Sequence, residues 1–223
     1  MASAAKMRSV KNAPLQLSSS SAETKWPVIS PSTQGTILQL LLDLVRPIGQ
    51  YRQDHVTRSK GKRSRKRKRD AERGDDPSTD IEEASGKPPR PPIEKYVTIG
   101  HSSTTRHLEE RLRRLESNGS RFDGCQHNLA AVFLAQPVDY LPYRHLPAMT
   151  ATIAEHDDAT APILLIPLPA GAESKLSGAL GIRRVGLVGV FSDAPSGTAL
   201  LEYVRENVQP VKVSWVSGGG MQK

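Results

Sequence analysis

The chain has 223 residues, a net charge of +8, 4% aromatic and 24% charged side chains, and one cysteine, Cys125. That length suits one domain of ordinary size with tails, or two small ones. A lone cysteine excludes an intrachain disulfide and fits a reducing compartment. The N-terminus lacks the long apolar run of a secretory signal. The most apolar window, residues 36–45, is too short to span a bilayer and is interrupted by Gln39 and Asp43. A soluble, intracellular protein with no membrane partner is therefore expected.

Residues 1–33 are rich in Ser, Ala and Thr and read as a flexible tail, although "WPVISP" suits an extended piece packed locally. Residues 34–53 read as the first helix of the core. Ile37, Leu38, Leu41, Leu42 and Val45 follow the three-four spacing of one buried face. Ser32 or Thr33 offers a cap oxygen, and Pro47 should end or kink the helix. Residues 54–92 change character: a basic block, then the acidic "DDPSTDIEEAS", then "GKPPRPP". With almost nothing to bury, this insertion is expected to be disordered, and a long loop adds little closure entropy.

Residues 93–216 alternate strands and helices. "YVTIG" is a strand and "STTRHLEERLRRLES" a helix with Leu108, Leu112 and Leu115 on one stripe. "NGSRFDG" is a turn. "LAAVFLAQ" is a continuous apolar strand of the kind buried on both faces. "YLPYRHLPAMTATIAE" reads as a short helical segment and "APILLIPLP" as a third strand. "AGAESKLSGALG" is a helix with Leu176, Ala179 and Leu180 inward and Gly181 as its stop. "RRVGLVGVF" is a fourth strand, "SGTALLEYVRENV" the last helix, and "PVKVSWV" a short edge strand. Residues 217–223 form a tail. The pattern predicts an α/β fold: a three-layer α-β-α sandwich on a central mixed sheet of about four strands, with a disordered basic insertion and an N-terminal tail.

Enzyme signals are weak. The glycines of "GALGIRRVGLVGV" fall inside a strand or close a helix, whereas a dinucleotide site needs them after a strand and opening a helix; close backbone packing explains them better. "AEHDDA" suits a solvated turn, and the histidines are scattered without ligand spacing. Cys125 with His127 nearby makes a conceivable nucleophilic pair, but no set of acid, base and nucleophile converges. No cofactor or metal is expected.

Two features point elsewhere. Lys60, Lys62, Arg63, Arg65, Lys66, Arg67, Lys68 and Arg69 form a block of eight cations without an acid, equal to the whole net charge of +8. Such a block serves nuclear import, contacts phosphates without reading bases, or does both. The second feature is the join "GHSSTTR", from Gly100 through His101, Ser102, Ser103, Thr104 and Thr105 to Arg106. Ser102 or Ser103 caps the helix. Capping needs one such residue, and five polar ones are present. Unpaired N–H groups at a helix start, a glycine that lets another backbone approach, and a guanidinium one turn in make a phosphate cradle.

The same join is similar to the G-x-N-E-x-x-K motif of the kink-turn-binding ribosomal-protein family, with Gly100 at its glycine and Arg106 at its basic position. The stretches "LLLDLVRPIGQYRQ", "VTIGHSSTTRHLE", "LPAGAESKLSGALGIRRVGLVGV" and "VRENVQPVKVSW" resemble, in order, the fungal POP-three subunits of ribonuclease P and ribonuclease MRP. The resemblance covers residues 36–53 and 95–215. It implies a non-catalytic, RNA-binding subunit of two RNA-based endonucleases that mature tRNA 5′ ends and process ribosomal RNA precursors. Its implied partners are the ribonuclease RNA, other protein subunits and a nuclear import receptor, in the nucleus and nucleolus. In the ribosomal family a loop after the last strand also touches RNA, which implies Val190, Phe191 and Ser192 here. Where that family has Asn and Glu, this chain has Ser102 and Ser103, which favours recognition of shape and phosphate over a standard kink-turn. The alternatives are a protein-interaction module recruited through partner subunits, by the face of Glu109, Arg113 and Glu116 or by "GKPPRPP", or another kink-turn-type RNA-binding protein.

Overall fold

A computed structural model describes residues 24–55, 88–116, 128–157 and 161–213. The basic block Lys60–Arg69, the predicted turn at Asn118–Gly119, Cys125, His127 and the tail 217–223 lie outside the described residues. In chain order the elements are β1 (Thr24–Lys25), α1 (Pro31–His55), a 3₁₀ turn (Pro92–Tyr96), β2 (Val97–Ile99), α2 (His101–Glu116), β3 (Leu129–Leu134), a second 3₁₀ turn (Leu141–Tyr143), α3 (Leu146–His156), β4 (Leu164–Pro167), α4 (Ala172–Leu180), β5 (Leu187–Phe191), α5 (Thr198–Asn207) and β6 (Lys212–Val213).

The central sheet has four strands in the order β2-β5-β3-β4. β3 and β4 run parallel, while β5 is antiparallel to both β2 and β3. Its pleat divides the core. Ala131 and Phe133 of β3 face one way, with Ile166, Val188 and Val190, and pack on Ile37, Leu41, Val45 and Ile48 of α1 and on α4 and α5. Val132 and Leu134 face the other way, with Leu165 and Leu187, and pack on Leu108 of α2 and Leu146 and Ile153 of α3. The result is an α-β-α sandwich on a mixed sheet, and "LAAVFLAQ" is apolar throughout because both its faces are covered.

α1 starts earlier and runs further than the sequence suggests. Pro31 takes the first helical position, where its missing N–H costs nothing, and Ser30 is the cap: Thr33 N–H donates to its Oγ at 3.1 Å. Pro47 does not end the helix, which continues to His55. The Pro47 side chain is exposed, so water can serve the carbonyl left without a helical donor. Two residues on, Gly49 presses on α4: a Cβ there would stand 1.7 Å from the Ala179 carbonyl oxygen. α4 ends as expected, with Gly181 at φ 65° and Ile182 N–H donating to Ser177 O at 3.1 Å.

Two predicted boundaries change. β6 is not an edge of the central sheet; it pairs antiparallel with β1, Thr24 opposite Val213. Residues 24–33, placed in the tail by their composition, thus hold one strand of this ribbon, the buried Ile29 and the start of α1. Alternation marks a half-buried strand but does not say which strand pairs with it. No helix among the described residues is long and apolar enough to cross a membrane.

Candidate nucleic-acid interface

Gly100 leaves β2 at φ 95°, a conformation that suits glycine, and its N–H donates to Leu187 O at 2.8 Å. α2 begins at the next residue. Ser102 and Ser103 therefore lie inside the first turn, not at the cap, and both side chains are exposed. The residue at the cap has no side chain, so the predicted serine cap is replaced by main chain: Gly100 O accepts from Thr104 N–H at 3.2 Å.

Thr104 is not part of the surface. It is fully buried. Its hydroxyl donates to Gly100 O at 3.1 Å, so in the 2.8 Å contact with Thr98 Oγ1 the Thr98 hydroxyl is the donor. This chain of two hydroxyls holds α2 to β2 over Gly189, where a Cβ would meet Thr98 Oγ1 at 2.4 Å and Leu129 Cδ1 at 2.9 Å. Gly189 is thus a packing glycine, as its place in a strand suggests.

His101 is half-buried. Its Nε2 lies 2.9 Å from Pro142 O, an acceptor, so Nε2 carries the hydrogen. The ring meets His145 edge-on with centroids 5.1 Å apart, and His145 Nε2 is 3.4 Å from Thr105 Oγ1. Histidines far apart in the chain therefore join α2 to the 3₁₀ turn Leu141–Tyr143, a pairing their spacing gave no sign of. Burial lowers the His145 pKa from its ordinary value; the adjacent His101 adds to that, and Glu109 opposes it. His107 packs edge-on to Phe191 at 5.1 Å. Loss of water there lowers its pKa, and Arg114 and Arg106 lower it further. Both shifts favour the neutral imidazole, and exposed guanidinium groups are fixed cations available to a phosphate.

Other segments meet the join. Gly186 O accepts from Ala135 N–H at 2.9 Å and from the Tyr143 hydroxyl. Burial, the largest influence, raises the Tyr143 pKa to about 12, so the phenol remains a donor. This knots the loop after β3 and the segment before β5 to the same end of the sheet as Gly100. Arg183 and Arg184, exposed just before Gly186, sit in that segment. Arg106 is exposed on α2, and Arg144 and Tyr140 on the β3–α3 loop. Sequence reading placed Arg183 and Arg184 within a strand. Their position after the Gly181 stop was the available sign that they belong to a loop.

Val190, Phe191 and Ser192 do not join this site. Gly100 bonds at the start of β5, whereas these residues end it, a separation of about 10–15 Å at strand rise. Val190 and Phe191 are buried between sheet and helices. Ser192 is exposed, and its N–H donates to Asn128 O at 2.8 Å at the opposite end of the sheet. The separation follows from strand direction: β5 is antiparallel to β2, so the start of β5, not its end, lies beside the β2–α2 join.

Among the described residues no group of three or more His, Cys, Asp or Glu side chains could hold a metal ion. Asp157 of "AEHDDA" pairs with Arg111 at 2.7 Å, and Asp158 lies outside the described residues. No protein-family model matches this chain, and no curated protein matches it.

Proposed function

We propose that this chain is a non-catalytic, RNA-binding protein subunit of nuclear ribonuclease P and ribonuclease MRP, acting in tRNA 5′ maturation and ribosomal RNA precursor processing. One observation supports the RNA-binding part above the rest: the start of α2, the β3–α3 loop and the segment before β5 are tied together at one end of the sheet, and these segments carry the exposed Arg106, Arg144, Arg183 and Arg184. Guanidinium groups on rigid element ends suit phosphate oxygens, and the main-chain N–H groups of a helix start add to them. Tyr140 offers a face on which an unpaired base can stack. The assignment to ribonuclease P and MRP rests on the ordered resemblance of residues 36–53 and 95–215. Ser102 and Ser103 direct the reading toward phosphate and shape.

The test reverses charge at this end of the sheet. Arg106→Glu with Ser102→Asp and Ser103→Asp, and separately Arg183→Glu with Arg184→Glu, should weaken binding to ribonuclease RNA. The slope of log K against log salt should become shallower by roughly 0.7–0.9 for each phosphate that the variant no longer neutralises. Equal affinity and slope in all variants across a salt series would exclude this surface. Sequencing the RNA that co-purifies with the tagged chain checks the assignment: ribonuclease P and MRP RNA should dominate.

A further inference from the structure

His101 belongs to the polar join but differs from its neighbours in exposure. Ser102 and Ser103, beside it in the first turn of α2, are exposed, whereas His101 is half-buried. Its Nε2–H donates to Pro142 O at 2.9 Å, across 41 residues of sequence. The His145 ring meets it edge-on and reaches back to Thr105, one turn further along α2. Two imidazoles thus fill the seam between α2 and the β3–α3 loop.

That loop is fastened at adjacent residues from two sides. α2 holds Pro142 through His101, and the segment before β5 holds Tyr143 through its hydroxyl on Gly186 O. Around these anchors the chain is a tight turn, with Tyr143 N–H donating to Tyr140 O at 2.8 Å and Arg144 N–H to Leu141 O at 3.3 Å. Tyr143 is buried and Pro142 half-buried, while Tyr140, Leu141 and Arg144 on either side are exposed. The Tyr143 anchor ties the loop to the sheet. One anchor leaves a loop free to swing, and the second, from His101, fixes it relative to α2.

We propose that His101 is a positioning residue: it does not touch RNA, and through Pro142 and His145 it holds the loop bearing Tyr140 and Arg144 in one place relative to α2. This inference rests on the RNA reading above, and it moves His101 out of the cradle in which its sequence neighbours stand. The physical reason is preorganisation. A loop that binds RNA gives up conformational freedom, and a loop already held has less to lose. When the competent position is populated only in part, the apparent Kd rises by the inverse of that fraction. Imidazole suits the task because one flat ring donates to a carbonyl and packs against a second ring at once.

The experiment combines amide hydrogen exchange of the full chain with its binding to ribonuclease P RNA transcribed in vitro. His101→Ala removes the donor. Without RNA, the Tyr143 and Arg144 amides should exchange faster, while β3 and β5 keep wild-type protection. Binding should weaken about five- to tenfold, the scale of one lost hydrogen bond. His101→Gln, whose side-chain amide donates to the same carbonyl, should restore most of both. The decisive arm is a double-mutant cycle. In a chain that already carries Tyr140→Ala and Arg144→Ala the loop has nothing left to position, so His101→Ala should cost less than about twofold there. An equal loss in both backgrounds would make His101 a direct contact or a general stabiliser and overturn the proposal. Unchanged loop exchange, or unchanged affinity of His101→Ala, would overturn it too and leave the RNA reading standing. A wild-type chain with no affinity for that RNA would remove the RNA reading and this inference together.

Discussion

Thr98, Thr104 and Gly189 account for one another. A hydroxyl pair closes over a glycine that has no room for a methyl group. Gly189→Ala should therefore destabilise by about 1–3 kcal/mol through overpacking, seen as a lower midpoint in chemical unfolding, whereas an unchanged midpoint would mean that α2 moves away freely. His145 gives the second residue-scale expectation. Its folded pKa lies below the ordinary 6.5 because burial disfavours the imidazolium. Between the two values the unfolded chain binds more protons, so stability rises with pH there. The contribution is complete above about pH 6.5 and is lost as pH falls through the lowered value. Thermal unfolding at pH 7 and pH 5 should show a drop on acidification, and His145→Gln should reduce that drop. The buried threonine was hidden in "HSSTT", since composition cannot say which of five polar residues turns inward. Only the phase of α2 on the sheet decides that.

At the scale of elements, α1 shows how one residue type takes opposite roles within one helix. Gly35 has open space where a Cβ would go, while Gly49 meets a main-chain carbonyl at 1.7 Å. Gly35→Ala should raise stability by about 0.4–1 kcal/mol by restricting the unfolded chain. Gly49→Ala should lower it by about 2–3 kcal/mol or more, because α4 backbone has to shift. Equal effects from the two substitutions, measured by thermal unfolding, would contradict the α1–α4 contact. The apolar stripe of α1 was legible because its period is local. Its passage through Pro47 was not, since a proline signals a break unless the groups it frees can reach water, and that depends on which face points outward. For α2 the leucine stripe read correctly and its first turn did not: the serines looked like caps, and the helix takes Gly100 as its boundary instead.

Across the whole molecule, the sheet order decides what can act together. The segment carrying Arg183 and Arg184 leads into the start of β5 beside the α2 start because β5 runs antiparallel to β2; the same geometry carries Val190–Ser192 to the other end. Deleting Lys60–Arg69 is expected to abolish nuclear accumulation while leaving the thermal midpoint unchanged, as the core is made by residues on either side of the insertion. Continued nuclear concentration of the deletion variant would remove the import reading.

The sequence by itself determined the alternation of strands and helices, the strand covered on both faces, the helix stop at Gly181 and the amphipathic stripes. All of these follow from periodicity and local backbone chemistry within a dozen residues. The tertiary structure alone decided the pairing of β6 with β1, the inward turn of Thr104, the contact of His101 with His145, and which end of β5 lies beside Gly100. Each of these depends on contacts between residues far apart in the chain. Strand pairing and strand direction set them, and no local pattern encodes either one.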